Sequence, residues 1–239
     1  MLVQASAGAA DRAEALVRYA RGDHAGAIEL LRVLADRGDA VCQEIVANMY
    51  FRGEGVAPDE VAAFNWFRLA AARGRTDAQF QLGVMYRDGL GAPRDGRLAM
   101  HWFQAAADRG APHAFNAVGE LYLWHSDIQH SHAIALDWFL RGAQLDNSAA
   151  MHNIGTLYVL GHGVVRDEVA AYQWFDLAAA AGVGDDRDKA VLARQALAER
   201  LTPLQVQTAK VEARQWLLTA RAPEQSPQMQ HPGQPLALR

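Results

Sequence analysis

Side chains capable of chemistry concentrate in three places along this chain. The first is the run Trp124-His125-Ser126-Asp127-Ile128-Gln129-His130-Ser131-His132, in which His125, His130, His132 and Asp127 are residue types that bind zinc. The second is Cys42, the only cysteine, whose thiolate is a nucleophile where its surroundings stabilise the charge. The third is a recurrent mixture of asparagine, arginine and aromatic residues, with Asn48, Phe51, Arg52, Phe80, Arg87, Asn116 and Trp124 among them. Amide and guanidinium groups hydrogen-bond a peptide backbone or a carboxylate, and aromatic rings anchor apolar side chains.

Spacing weakens the first two. The histidines fall in a turn and at a helix start, where polar side chains cap and hydrate, so no metal is expected there. Cys42 shares a column, at a step of 36 residues, with Ala78, Ala114 and Ala150, which makes it a small core residue. The chain has no G-x-S-x-G elbow, no G-x-x-x-x-G-K-[ST] phosphate loop and no H-E-x-x-H pair. Its Gly-x-Gly loops recur without the preceding strand of a dinucleotide site. No catalytic residue and no cofactor are therefore expected. A metal- or small-ligand-binding or hydrolytic protein stays open as the alternative, with the His-rich run as its one feature.

Composition narrows the class. The 239 residues are 51% hydrophobic and 21% charged, with a formal net charge of −4, which is ordinary for a globular chain. An acidic balance argues against a general nucleic-acid binder. A single cysteine excludes an intramolecular disulfide and a cysteine-built zinc site. No run approaches the roughly 18 apolar residues of a membrane-spanning helix, and residues 1–10 lack the charged start and apolar stretch of a secretory signal. The expectation is a cytoplasmic protein with no nucleic acid and no membrane insertion.

The elements that position these residues are repeated. Trp-Phe pairs stand at Trp66-Phe67, Trp102-Phe103, Trp138-Phe139 and Trp174-Phe175, each step being 36 residues. Tyr50, Tyr86, Tyr122 and Tyr158 keep that step, as do Ala63, Ala99, Ala135 and Ala171, and as do Ala47, Gly83, Gly119 and Gly155. Within a unit, Ala78, Leu82, Met85 and Tyr86 lie at i, i+4, i+7 and i+8, and Ala99, Trp102, Phe103 and Ala106 at i, i+3, i+4 and i+7. Both are single-face helical patterns. Each unit is thus a helix A, a loop and a helix B. Gly53, Gly89 and Gly161 suit a left-handed end to helix A. Asp59, Asp95 and Asp167 suit the first turn of helix B. The interior glycines Gly83, Gly119 and Gly155 predict close approach of the Trp-Phe pair.

The pattern Ala78-x3-Leu82-Gly83-x2-Tyr86-x2-Gly89-x-Gly91-x3-Asp95-x3-Ala99-x2-Trp102-Phe103-x2-Ala106-Ala107-x2-Gly110 closely resembles the Sel1-like repeat, a relative of the tetratricopeptide repeat. The resemblance implies an all-α fold, a right-handed α-α superhelix or solenoid of helix-turn-helix repeats, which usually serves as a scaffold or adaptor for protein partners. Four repeats are assigned to residues 39–74, 75–110, 111–146 and 147–182, preceded by a degenerate helical repeat over 11–38 and a flexible N-terminus over 1–10. Capping helices are expected within 185–220, as Lys189–Arg200 and Pro203–Ala220, with Leu197, Leu201, Leu204, Val211 and Trp216 covering the end of the stack. A disordered Pro-rich tail is expected over 221–239.

In such a stack one stripe of each helix A faces the concave groove. Counted from the repeated small residue, that stripe holds Glu44, Asn48, Phe51 and Arg52, then Phe80, Val84 and Arg87. Asn116, Glu120, Leu123 and Trp124 follow, then His152, Thr156 and Val159. A surface meant only for water would be nearly all polar, so these residues are the candidate groove for a peptide segment or protein partner.

Overall fold

The computed structural model describes the backbone of residues 2–220 and the side chains of residues 11–220; the tail expected over 221–239 lies outside the described residues. Twelve helices, and no strand, occur among the described residues. In chain order they are α1 (Leu2–Ala20), α2 (His24–Asp36), α3 (Ala40–Arg52), α4 (Glu60–Ala72), α5 (Thr76–Asp88) and α6 (Gly96–Ala107). They continue as α7 (Pro112–Trp124), α8 (His132–Ala143), α9 (Ser148–Leu160), α10 (Glu168–Ala181), α11 (Gly184–Ala198) and α12 (Pro203–Ala220). Antiparallel A/B pairs α3–α4, α5–α6, α7–α8 and α9–α10 stack in order behind the pair α1–α2, forming an all-α repeat superhelix. Residues 2–10 are helical and open α1. Four of those nine residues are alanine, the best helix former.

Local chemistry defines each unit. Gly89, at φ 77°, ends α5, and its N–H and that of Leu90 both bond the Met85 carbonyl. The chain then returns so that Asp95 donates its N–H to the Tyr86 carbonyl at 2.8 Å. Asp59, Asp95 and Asp167 are N-caps, one residue before the helix, and their carboxylates accept from helix N–H groups. The interior glycines make room for the phenylalanine of each Trp-Phe pair. A Cβ on Gly83, Gly119 or Gly155 would stand 2.6, 2.4 or 2.7 Å from Phe103, Phe139 or Phe175. Those phenylalanines are buried, whereas Trp66 and Trp102 stay half-exposed.

The C-terminal end departs from expectation in two ways. Helix α11 begins at Gly184, five residues before the expected start. Both α11 and α12 pack on α10, burying Leu197 and setting Trp216 against Trp174 with ring centroids 5.0 Å apart. Leu204 and Val211, however, are 77% and 51% exposed and cover nothing. Helix α12 meets the stack through Ala209, Ala213 and Trp216, at i, i+4 and i+7. That places Leu204 and Val211 on the opposite side.

Candidate partner-binding surface

The A helices carry the expected stripe, and successive A helices touch, α7 with α9 and α9 with α11. This contact consumes part of the stripe. Leu123 is buried in the core with Ala135, Phe139 and Ile154, so it is no groove anchor. Phe80 and Val84 are half-buried against the core of the next unit, with Phe80 centred 5.4 Å from Phe103 and 6.3 Å from His113. Phe51 packs against the core around Phe67, and Val159 against the capping residues Ala209 and Leu197. Each lies where the stripe turns towards a neighbouring helix, and burial there is the larger gain.

The polar members are placed by hydrogen bonds. Glu44 is buried and closed by Arg75, whose Nε and Nη2 each lie 3.0 Å from a carboxylate oxygen. It staples α3 to the start of α5 instead of facing a partner. Asn48 donates to the Glu44 carbonyl and the Thr156 hydroxyl to the His152 carbonyl, both one turn back. Arg52 is exposed near Glu54 at 3.6 Å, and Arg87 is bidentate on Asp88 at 2.7 Å, which holds the Asp88 carboxyl below its ordinary range. The His152 ring stands 5.0 Å from Phe175 with its Nδ1 buried and unpartnered; burial, then the nearby Lys189, lowers its pKa.

Asn116, Glu120 and Trp124 share one face of α7. Asn116 donates to Glu120 Oε1 at 2.9 Å, and Asn153 of α9 donates to Asn116 Oδ1 at 2.9 Å. Asn153 is absent from the expected stripe because it lies one residue outside it, and only the α7–α9 contact brings it in. Trp124 is 68% exposed, the most exposed of the large aromatics, and Leu160, one repeat on, is 51% exposed.

The other candidates are spoken for. Cys42 is buried, and desolvation, followed by the neighbouring Asp39, pushes its thiol up to about 12, so it is not a thiolate near neutral pH. In the His-rich run, His125 is buried and Arg94 Nε donates to its Nε2 at 3.3 Å. Asp127 accepts from the Gly96 N–H at 3.2 Å. The His132 and His162 rings lie tilted against each other with centroids 4.6 Å apart, and His130 is exposed. The four side chains do not converge on one point, and no cluster of three metal-binding side chains occurs among the described residues. No helix among them is long and apolar enough to cross a membrane.

Comparison with known proteins matches the repeats directly. The Sel1 repeat model aligns to residues 40–74, 76–110, 113–147 and 148–183. A Sel1 repeat protein from Oxalobacter formigenes superposes with a TM-score of 0.69 at 26% identity, over 87% of each chain. A protective antigen of uropathogenic Escherichia coli strains that displays an SLR fold gives 0.48 at 20%, over 95% of this chain and 66% of that one. An immunity protein from Pseudomonas aeruginosa gives 0.47 at 16%, over 87% and 82%. No curated protein sequence matches. With four consecutive repeats aligned over more than half its length and folded into stacked helix pairs, this chain belongs to the Sel1 repeat family.

Proposed function

We propose that the protein is a non-enzymatic scaffold or adaptor that holds a peptide segment or protein partner along the concave row of its A helices. Sel1 repeat proteins are generally protein-interaction scaffolds. The observation that carries the reading here is the α7–α9 face. Trp124 and Leu160 stand exposed on adjacent A helices, beside amides already ordered by Asn116, Glu120 and Asn153. A large exposed aromatic next to preorganised polar groups is the composition of an interface centre. Within this reading Asn116, Glu120 and Trp124 are kept from the expected set, Asn153 and Leu160 are added to them, and Arg52 and Arg87 stand at the rim. The reading places the scaffold in the cytoplasm.

The test is affinity capture from native cytosol with the wild-type chain and an Asn116→Ala/Trp124→Ala double variant whose helical content and melting temperature match. A protein retained by the wild type and lost by the variant supports the reading. Equal capture by both rejects it.

A further inference from the structure

One charge stands alone between α7 and α9. Across Pro112–Trp124 and Ser148–Leu160, Glu120 is the single residue that is Asp, Glu, Lys or Arg. Its side chain is half-buried, and Oε1 receives the Asn116 amide at 2.9 Å and the Asn153 amide at 3.5 Å. Two amide donors order a carboxylate without neutralising it. Arg87 feels the Glu120 charge but closes both Nε and Nη2 on Asp88. Elsewhere on the A row the chain meets the same need itself: the buried Glu44 carboxylate is capped by the fork of Arg75. At Glu120 no ion pair forms among the described residues, and the α7–α9 face keeps one uncompensated negative charge.

Trp124 lies one turn beyond Glu120 on the same face. Helix residues four apart are surface neighbours, so the exposed indole and the carboxylate stand side by side. A guanidinium set there would take two N–H···O bonds from Glu120 while lying on the indole face, and planar arginine suits both contacts better than lysine. The chain uses such stacking internally, with the Arg141 guanidinium 5.1 Å from the Phe115 centroid and 4.1 Å from that of Trp138. A formal net charge of −4 favours approach of a basic segment.

We propose that Glu120 and Trp124 form a receptor for an arginine side chain of the partner, with Leu160 receiving an adjacent apolar residue. This rests on the groove reading and names the partner's chemistry. The test is display selection of random peptides on the full chain. Soluble selected peptides are then titrated by calorimetry against the wild type, Glu120→Gln and Trp124→Ala. Glutamine keeps the amide-accepting oxygen, so Glu120→Gln preserves the Asn116 and Asn153 contacts while removing the charge. The expected result is peptides carrying arginine beside an apolar residue, weakened at least about tenfold by Glu120→Gln and by replacing that arginine with lysine. Peptides that need Trp124 but carry no arginine, or bind Glu120→Gln unchanged, overturn the arginine receptor and leave the groove reading standing. Peptides indifferent to both variants, or no enrichment at all, overturn both.

Discussion

At Gly119 the absence of a methyl group sets the distance between two helices. Alanine would improve helix propensity by up to about 1 kcal/mol, yet its Cβ would stand 2.4 Å from the Phe139 ring. The ring is fully buried and cannot swing aside without moving its neighbours. Gly119→Ala is therefore expected to lower stability by about 1–3 kcal/mol in urea titration. Adding Phe139→Leu should recover part of that loss, and a double variant that is strictly additive would refute the contact argument. His152 yields a pH prediction. Burial and then Lys189 lower its pKa in the folded state, with Asp186 partly opposing them. The unfolded chain thus takes up the proton first. The stabilisation from neutral His152 is complete above about pH 6.5 and is lost as pH falls below it. His152→Gln should flatten the decline in stability between pH 7.5 and 5, and an unchanged slope would show that other groups dominate it.

At the scale of the element, the unit over residues 111–146 shows how a repeat tolerates losing its loop glycines. In other units the second loop glycine leans on the start of the preceding helix B: a Cβ on Gly91 would stand 2.1 Å from the Glu60 carbonyl oxygen. The corresponding position here is Asp127, which instead accepts the Gly96 N–H at the start of α6. Space for this exchange comes from Gly96, whose added Cβ would stand 2.3 Å from the His125 Nδ1. The helix α7 accordingly ends with His125 in an extended conformation, at φ −87°, without a left-handed residue. Gly96→Ala should lower stability by about 1–3 kcal/mol through its collision with the buried imidazole. Hydrogen exchange should localise the loss to α6 and the 125–131 loop. A uniform loss across the stack would count against a local contact.

For the whole molecule, the capping helices matter because a solenoid buries each unit only against its neighbours. Trp174, Leu177 and Ala178 pack with Ala190, Ala213 and Trp216 in one core cluster, and Tyr172 and Phe175 with Leu197 and Ala209 in another. Ending the chain after Gly182 would expose both surfaces. The truncated protein should lose at least about 5 °C in melting temperature and self-associate in light scattering. A monomer of unchanged stability would mean that α11 and α12 are appended rather than structural. The groove reading also belongs to this scale, because its face is shared by α7 and α9 and exists only while those repeats stay in register.

The architecture is legible in the sequence because it is written locally and then repeated. Apolar residues three and four apart make each helix, glycine and aspartate end and begin it, and the 36-residue step carries the same solution along the chain. The candidate surface is only half legible for the opposite reason. Glu44 and Glu120 stand on corresponding stretches of the A stripe, yet one is closed by Arg75 and the other meets only amides. Leu123 and Trp124 are neighbours in sequence, yet one is buried and the other 68% exposed. Periodicity specifies which side of a helix is apolar. How far that side is covered depends on the size, tilt and side chains of the next repeat, and so on the tertiary packing of α7 against α9 that leaves Glu120 without a cation.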